Sequence, residues 1–271
     1  MSAKTGIQWT DHTFNIAWGC TKVSPGCAKC YADRDATRYG FDIWGPGKDR
    51  RLFGEKHWNE PRKWNRAAEK AGVRARVFCS SMADVFEDHP MIDAERGKLS
   101  KLIGETRWLD WQILTKRAER MREIAEMVHF FYDGRPAKNV WFGVSVENRD
   151  ALSRIDHLRE TPAALRFVSF EPLLEDLGEI DLRGIDWAII GGESGPGARP
   201  CDIAWIRSIL AQCKAAGVAC FVKQLGAVWA REQVRAAAQR NVLPESYFRV
   251  DRKGGNIEEW PEDLRVREMP Q

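Results

Sequence analysis

Residues 111–144 read WQILTKRAERMREIAEMVHFFYDGRPAKNVWFGV. This segment begins with the apolar run Trp111–Leu114 and ends with a second one, Val140–Val144, and both have the length and composition of buried strands. Between them, Arg117–Met127 repeats its apolar residues at helical spacing, and the polar turn Asp133–Pro136 follows. A strand, a helix and a strand in this order predict a βαβ unit with parallel strands and a right-handed crossover.

The same alternation extends along the chain in both directions. The other predicted strands are Phe14–Trp18, Ala75–Cys79, Arg166–Phe170, Trp187–Ile190 and Ala219–Val222. The other predicted helices are Cys30–Tyr39, Ile92–Gly104, Asn148–Leu158 and Ile203–Gly217. Strands that alternate with helices indicate the α/β class. We predict a full or partial (β/α) TIM-type barrel rather than a doubly wound sheet, because no dinucleotide-binding glycine motif follows the first strand.

The domain organisation follows from length and from breaks in the alternation. A chain of 271 residues suits one barrel, so we predict a single domain over residues 1–271. Residues 41–75 interrupt the alternation and predict an insertion after the first helix. Residues 227–271 predict a small C-terminal cap, with a helix near Arg231–Gln239 and a hairpin over Tyr247–Ile257 that turns at Gly254–Gly255.

Composition limits the class of protein. The chain is 44% hydrophobic with a net charge of +3, which argues against global disorder. No apolar run approaches the ~18 residues needed to span a bilayer, and the first residues lack a signal-peptide core. We therefore expect no membrane association and a cytoplasmic location. In that reducing compartment, the seven cysteines are not expected to form a disulfide framework.

Three of these cysteines, Cys20, Cys27 and Cys30, lie within the segment CTKVSPGCAKC between the first strand and the first helix. Thiolates at such short spacing suit zinc or an iron–sulfur cluster. One alternative is a structural zinc site that takes His12 or His57 as its fourth ligand, and another is three unligated cysteines. The position at the end of a barrel strand, where barrel enzymes place their chemistry, favours a catalytic centre.

Polar residues also follow the other predicted strands. A barrel would gather these strand ends around one mouth. Taken alone, each has a structural alternative: Glu147 or Asn148 can cap a helix, and Gly191–Gly197 can form a turn.

Several motifs along the chain resemble those of a known family. They are Trp9–Asn15, Gly19–Tyr31, Ser81–Phe86, Leu114–Arg117, Gly143–Asn148, Phe170–Leu174, Gly191–Gly195 and Val222–Gln224. The cysteine loop resembles that of the radical S-adenosylmethionine (SAM) superfamily. The whole set is similar to a phage- and prophage-associated radical-SAM-like family that is distantly related to spore photoproduct lyase. The similarity extends from about residue 7 to Glu268–Pro270 and so covers nearly the whole chain.

The resemblance implies two cofactors, a [4Fe–4S] cluster held by Cys20, Cys27 and Cys30, and SAM. It implies an enzyme that generates a 5′-deoxyadenosyl radical, supplied with electrons by a reductase or a flavodoxin-type donor. The cysteine spacing departs from the usual superfamily loop, with six and two intervening residues instead of three and two, and with Lys29 before Cys30 where an aromatic residue is usual. This departure bears on the subfamily chemistry more than on cluster binding.

The resemblance also implies a SAM site at the strand ends. Its expected members are Ser80, Ser81, Asp84, Lys116, Ser145, Glu147, Asn148, Glu171, Gly191, Gly192, Glu193 and Ser194. The group around Asp84 would bind the amino group of SAM, the group around Glu147 its ribose, and the glycine backbone its carboxylate or adenine. Cys201, Lys223 and Glu193 are the catalytic candidates, with Cys201 as the thiol that returns hydrogen to the product radical.

The predicted insertion combines cations with aromatic side chains. The candidate nucleic-acid-binding residues are Arg50, Arg51, Lys56, Trp58, Arg62, Lys63 and Trp64. Cations that contact phosphates and rings that stack on bases are typical of nucleic-acid surfaces. The alternative is that the tryptophans pack a helix onto the barrel while the charges face water. The related lyase favours a nucleic acid or nucleotide substrate, in DNA photoproduct repair or base modification. A small-metabolite substrate, or a zinc- or cluster-stabilised nucleic-acid-binding protein without turnover, remains as an alternative.

Overall fold

The computed structural model describes residues 5–127, 131–132, 135–239 and 251–270. Its strands are β1 His12–Phe14, β2 Ala17–Trp18, β3 Arg51–Leu52, β4 Ala75–Cys79, β5 Leu109–Thr115, β6 Phe131–Tyr132, β7 Arg135–Pro136, β8 Val140–Ser145, β9 Leu165–Phe170, β10 Trp187–Gly191 and β11 Ala219–Gln224. Its α-helices are α1 Tyr31–Arg38, α2 Glu55–Trp58, α3 Glu60–Ala71, α4 Pro90–Glu105, α5 Ala118–Met127, α6 Ser153–Glu160, α7 Ile203–Ala216 and α8 Ala227–Gln239. Short 3₁₀ helices cover Pro25–Cys27, Arg149–Ala151, Ile257–Glu259 and Glu262–Leu264.

Seven of the strands form one sheet in the order β1-β4-β5-β8-β9-β10-β11. The pairs β1–β4, β4–β5, β5–β8 and β10–β11 are parallel. Within the sheet, each strand lies beside its neighbours in chain order, whereas a doubly wound sheet reverses its order at a switch point. The predicted α/β class is therefore confirmed, in the form of a partial TIM-type barrel.

The first predicted strand, Phe14–Trp18, is wrong as a single element. The structure divides it into β1, which pairs with β4, and β2, which pairs antiparallel with β3 from the insertion. Asn15 lies at the break, and its side-chain oxygen accepts a hydrogen bond from the backbone N–H of Met82 at 2.7 Å. This contact ties the break to the loop after β4, so the backbone leaves the main sheet at Asn15.

The described residues divide into two compact units. The first comprises residues 1–144 and 154–167, and the second comprises residues 145–153 and 168–271. The prediction of a single domain stays a prediction. In the core of the first unit, the ring of Phe14 lies 5.2 Å from that of Trp58 and 5.7 Å from that of Trp111. In the second unit, Trp187 packs edge-on against Phe221 at 6.3 Å.

The C-terminal region differs from its prediction. Helix α8 begins earlier than expected, and the start of the predicted hairpin, residues 247–250, lies outside the described residues. Residues 251–256 form a turn and a bend rather than strands, because the Asp251 carbonyl accepts from the Gly254 N–H at 2.7 Å. The chain then runs antiparallel to β11, with Val222 N–H donating to the Val266 carbonyl at 2.9 Å. Residues 266–268 therefore cover this strand.

Within the part of the chain that the structure describes, none of the helices has the length and apolar character required to cross a membrane.

Candidate functional site

The three clustered cysteines lie in one loop of the first unit, after β2 and before α1. Cys20 forms an isolated bridge with Trp44, Cys27 ends the 3₁₀ turn, and Cys30 is the N-cap residue of α1. All three thiols are free and partly buried. The Sγ of Cys27 lies 3.7 Å from the Oγ of Ser24. The loop therefore presents three thiols at the point where the chain enters its first helix.

Two arginines and two carboxylates lie next to Cys20 and Thr21, and of these Arg117 contacts the Cys20 sulfur. We call Arg50, Asp84, Glu87 and Arg117 the arginine–carboxylate network. Arg50 and Glu87 form a buried ion pair at 2.8 Å, with 1% and 3% of their side chains exposed. Arg117 donates to Asp84 at 2.9 Å and lies 3.4 Å from Glu87. Its Nη1 also lies 3.5 Å from Cys20 Sγ. The two positive and two negative charges balance, which offsets part of the free-energy cost of burying each of them.

The network joins three strand ends of the first unit. Asp84 and Glu87 follow β4, Arg117 follows β5, and Arg50 precedes β3 in the insertion. Asp84 also accepts from the Thr115 hydroxyl at 2.7 Å. A surface cavity of about 310 Å³ lies beside the network, and Arg50, Glu87 and Arg117 contribute to its lining. The first cysteine is therefore anchored to the carboxyl ends of two parallel strands.

Burial, followed by the nearby Asp84 carboxylate, raises the pKa of the Cys20 thiol to about 12. Burial also raises the pKa of Cys30, and the backbone N–H groups of Asp33 and Ala32 oppose this shift. Thiolates, not thiols, bind metals, so metal binding at these sulfurs releases protons and strengthens as the pH rises.

The donor set bears on two of the predicted centres, a zinc site and an iron–sulfur cluster. Among the described residues, no three His, Cys, Asp or Glu side chains converge as ligands of one metal ion. A zinc site requires four ligands at about 2.0–2.3 Å from one centre. The Nε2–H of His57 donates to the Asn15 carbonyl at 2.8 Å, and the His12 ring stacks on the Trp64 ring at 4.3 Å. An iron–sulfur cluster distributes its thiolates over several irons, and three free thiols in one loop fit that chemistry.

In the second unit, the ends of β9, β10 and β11 bring another predicted group together. Lys223 Nζ forms an ion pair with Glu171 Oε1 at 3.1 Å, and Ser169 Oγ donates to Glu171 Oε2 at 3.4 Å. A Cβ at Gly191 would lie 2.5 Å from the Glu171 carboxylate. Gly191 is therefore needed for the approach of Glu171, and a Cβ at Gly192 would similarly meet the Leu225 carbonyl at 2.5 Å.

A second ion pair of this unit joins Glu193 to Arg199. Both Glu193 oxygens are engaged, at 2.5 Å by Nη2 and at 3.0 Å by Nε of Arg199. The pair raises the pKa of the Arg199 guanidinium, mainly through its hydrogen bond to Glu193. Glu147 contributes to the same electrostatic environment, and it is fully buried. Charged groups held this deep need a partner or a functional reason.

The remaining predicted SAM-binding residues differ in their surroundings. Ser80 is buried 3.3 Å from Cys79 Sγ, and Ser81 accepts from the Asn15 amide at 3.2 Å. The Lys116 backbone N–H donates to Asp84 at 3.2 Å. Asn148 is the N-cap residue of a 3₁₀ helix, but its side chain makes no capping hydrogen bond. Ser145 is buried and Ser194 is half-exposed. The assignment of these residues to SAM stays a prediction.

Cys201 lies just before α7 in the second unit. Burial, and then the neighbouring Asp202 carboxylate, raises the pKa of its thiol to about 12. At neutral pH the sulfur therefore keeps its proton. A protonated thiol is the form that a hydrogen donor requires.

The predicted nucleic-acid-binding residues have separate environments. Arg50 and Trp58 are buried. The Arg51 guanidinium lies 4.6 Å from the Trp18 ring and 4.4 Å from the Phe41 ring. Of the other members, Arg62 pairs with Glu105, Lys63 pairs with Glu60, Trp64 is half-buried, and Lys56 is exposed. The insertion thus uses Arg50, Arg51 and Trp58 for packing, and nucleic-acid binding by the predicted residues stays a prediction.

Glu87, Arg117 and Arg199 were not among the predicted site residues, although the structure gives them central contacts. Arg117 lies in the quoted Leu114–Arg117 motif, which was the available signal. Glu87 follows the apolar pair Val85–Phe86, a position where a charge signals burial or function. Its partner Arg50 is 37 positions away in the sequence, so their pairing depends on the tertiary fold.

Two solved structures are similar to this chain. A single-substitution mutant of spore photoproduct lyase matches with a TM-score of 0.46 and 16% identity, over 70% of this chain and 58% of that one. A double mutant with bound AdoMet and dinucleoside spore photoproduct matches with a TM-score of 0.43 and 15% identity, over 75% and 61% of the two chains. The chain thus spans about three fifths of the length of these structures. A comparison with curated proteins finds no match.

The predicted phage association stays a prediction. A family profile described as "Protein of unknown function (DUF5131)" matches residues 4–249. The chain belongs to the DUF5131 family.

Proposed function

We propose that this protein is a radical SAM enzyme that holds a [4Fe–4S] cluster through Cys20, Cys27 and Cys30. The observation that supports this most is the loop itself, with three free thiols after the first strands of a partial parallel barrel. The arginine–carboxylate network fixes its first cysteine to the ends of β4 and β5. Barrel enzymes carry their chemistry at the carboxyl ends of strands.

When bound, the cluster and SAM supply one-electron chemistry and a hydrogen-abstracting radical. The protein's own residues bind and orient. In the second unit, the Lys223–Glu171 and Arg199–Glu193 pairs present two cations and two carboxylates at the strand ends and the following loop. A SAM amino acid group, which carries one positive and one negative charge, is the kind of ligand that such pairs can bind. The buried Cys201 thiol is the proposed hydrogen donor.

The proposed substrate is a nucleic acid or nucleotide, with DNA photoproduct repair or base modification as the reaction class. Support comes from the net charge of +3 and from exposed cations of α2 and α3, including Lys56 and Lys63. Arg50 and Trp58 are left out of the proposed surface because they are buried. An electron donor of the reductase or flavodoxin type completes the proposed system.

The test is anaerobic reconstitution with iron and sulfide. We expect about four irons per chain and a broad visible absorbance that disappears on reduction. The triple variant Cys20→Ala, Cys27→Ala, Cys30→Ala should lose both, whereas the control triple variant Cys79→Ala, Cys213→Ala, Cys220→Ala should retain them. Zinc at one equivalent, without iron, would instead support the zinc-stabilised binding protein.

Catalysis is tested separately, by 5′-deoxyadenosine release after reduction in the presence of SAM. Panels of DNA, RNA, nucleosides and small metabolites would then identify the substrate class by the increase in release. If the iron-loaded protein forms no 5′-deoxyadenosine with any reductant, the proposal of an enzyme is wrong. That result would support a cluster-stabilised binding protein without turnover.

A further inference from the structure

The contacts around residues 20 and 21 are denser than a loop needs for its own shape. Arg117 donates to the Thr21 carbonyl at 2.8 Å and lies 3.5 Å from the Cys20 sulfur. Glu87 Oε1 accepts from the Thr21 backbone N–H at 2.7 Å. Arg50 donates to the Thr21 hydroxyl at 3.0 Å. The backbone N–H, the carbonyl and the hydroxyl of Thr21 thus each form a hydrogen bond with a charged side chain.

The residues on either side of this point are fixed as well. The Cys20 carbonyl accepts from the Gly45 N–H at 2.9 Å. At Gly19, whose φ is +112°, a Cβ would overlap the Ile43 carbonyl oxygen and lie 2.8 Å from Arg50 Cδ. The insertion therefore packs directly against the backbone before Cys20. Few conformations of residues 19–21 are compatible with all of these contacts.

Charge-assisted hydrogen bonds are the strong members of their class, and guanidinium forks add directional specificity. Arg117 uses this geometry to reach four groups at once: Cys20, Thr21, Asp84 and Glu87. A lysine at the same position has one charged nitrogen and cannot reproduce the fork. The geometry is thus specific for arginine.

From these contacts we infer that Arg117 is a positioning residue for Cys20. With Glu87, it holds the first cysteine of the loop in place before any metal binds, and it presents an N–H donor to that sulfur. The first part concerns the metal-free chain. The second part, an effect on a cluster bound there, rests on the proposed function.

The first test uses hydrogen–deuterium exchange of the metal-free protein. In Arg117→Met, amide exchange over residues 19–22 should accelerate about tenfold or more, because the charged contacts that hold these residues are lost. Arg117→Lys should lie between Arg117→Met and the parent protein. The matched control is Arg74→Met, which breaks the Arg74–Asp110 pair of the same unit at 2.6 Å. Unchanged exchange over residues 19–22 in Arg117→Met would overturn the inference.

Because Arg117→Met leaves Asp84 without its cation, that variant can fail to fold. The double variant Asp84→Asn, Arg117→Met removes both charges and keeps the measurement possible. If exchange accelerates across the whole first unit instead of around residues 19–22, Arg117 has a general stabilising role, and the positioning role is refuted.

The second test measures the midpoint potential of the reconstituted protein by EPR-monitored titration. Hydrogen bonds to sulfur and nearby positive charge raise the potential of iron–sulfur clusters. Arg117→Met should therefore have a lower potential than the parent protein, with Arg117→Lys closer to the parent and Arg74→Met unchanged. Equal midpoint potentials in the parent protein and the three variants would show that the contact of Arg117 with the Cys20 sulfur does not affect the cluster. A parent protein that takes up no iron would refute the proposed function, while the exchange experiment would still decide the positioning role.

Discussion

At the scale of single residues, the packing around His57 changes the pKa of its imidazole ring. Its ring lies 4.5 Å from that of Phe14 and 4.3 Å from that of Phe53. Burial lowers the pKa of His57 below its ordinary value of 6.5, and the Asn15 carbonyl only partly opposes the shift. The unfolded chain therefore binds more protons here in mild acid, so the free energy of unfolding should fall as the pH decreases through 6.5.

The measurement is the melting temperature of the parent protein and of His57→Gln, from about pH 7 to about pH 5. We expect His57→Gln to be less stable near neutrality, because it loses the stacking, but to lose less stability on acidification. Parallel curves for the two proteins would show that His57 does not contribute to the pH dependence.

Cys201 provides a second residue-scale prediction. Because burial raises the pKa of this thiol to about 12, from an ordinary value of 9.0, the folded protein holds little thiolate at pH 8. Alkylation of Cys201 by iodoacetamide should be on the order of a hundredfold slower or more in the folded protein than in the urea-unfolded chain. Its rate should rise with pH throughout the alkaline range. Peptide mass spectrometry gives the rate, and fast alkylation of the folded protein would rule out a protonated donor.

The sequence could predict the part of the candidate site that is local. Cys20, Cys27 and Cys30 are close in the chain, so their common loop is visible without a fold. The network around Cys20 joins residues that are 30 to 37 positions apart, Arg50 to Glu87 and Glu87 to Arg117, and its pairing depends on the sheet. Arg50 was therefore assigned to phosphate by composition, although its charge is neutralised inside the protein.

At the scale of elements, two glycines test the packing of a strand and of a helix. On β8, a Cβ at Gly143 would overlap the Phe167 ring, within the first unit. Gly143→Ala should reduce the free energy of unfolding by about 1–3 kcal/mol, the range for an overpacked core. On α4, a Cβ added at Gly97 would meet none of the described side chains or loops within 4 Å. Gly97→Ala should therefore raise the free energy of unfolding by about 0.5–1 kcal/mol, because alanine is the better helix former.

Urea denaturation measures the free energy of unfolding of both variants. The two glycine-to-alanine changes are controls for each other because they are expected to act in opposite directions. A neutral Gly143→Ala would mean that Phe167 moves aside without cost.

The sequence predicted the bounds of two interior strands of the sheet well. Ala75–Cys79 was predicted with its observed bounds, and Val140–Val144 was short by one residue. Their apolar residues identify these strands because interior strands of a parallel sheet are mostly buried. The prediction of the first strand as one element was wrong. The chain changes its pairing partner at Asn15, from β4 before it to β3 after it, in the middle of an apolar run. The predicted C-terminal hairpin begins at residues 247–250, which lie outside the described residues, so it stays a prediction. The pairing of residues 266–268 with β11 is a contact that no local turn signal reveals.

At the scale of the whole molecule, the proposed chemistry is distributed over both units. The first unit carries the cysteine loop and the arginine–carboxylate network. The second carries the Lys223–Glu171 and Arg199–Glu193 pairs. In each unit, charged side chains are placed at strand ends and are neutralised by partners in the same unit. For the proposed nucleic-acid substrate, we therefore expect long-range attraction from exposed cations rather than from these paired groups.

Salt dependence tests this attraction. If the exposed face of α2 and α3 binds single-stranded DNA, the logarithm of the affinity should fall linearly with the logarithm of salt concentration, by about 0.7 per phosphate contact. The double variant Lys56→Gln, Lys63→Gln should reduce that slope by about 1.4. The control, Lys214→Gln with Arg231→Gln, removes the same two charges from the net +3 at exposed positions of α7 and α8. Equal slopes in the two double variants, measured by fluorescence anisotropy, would show that net charge and not this face determines the affinity.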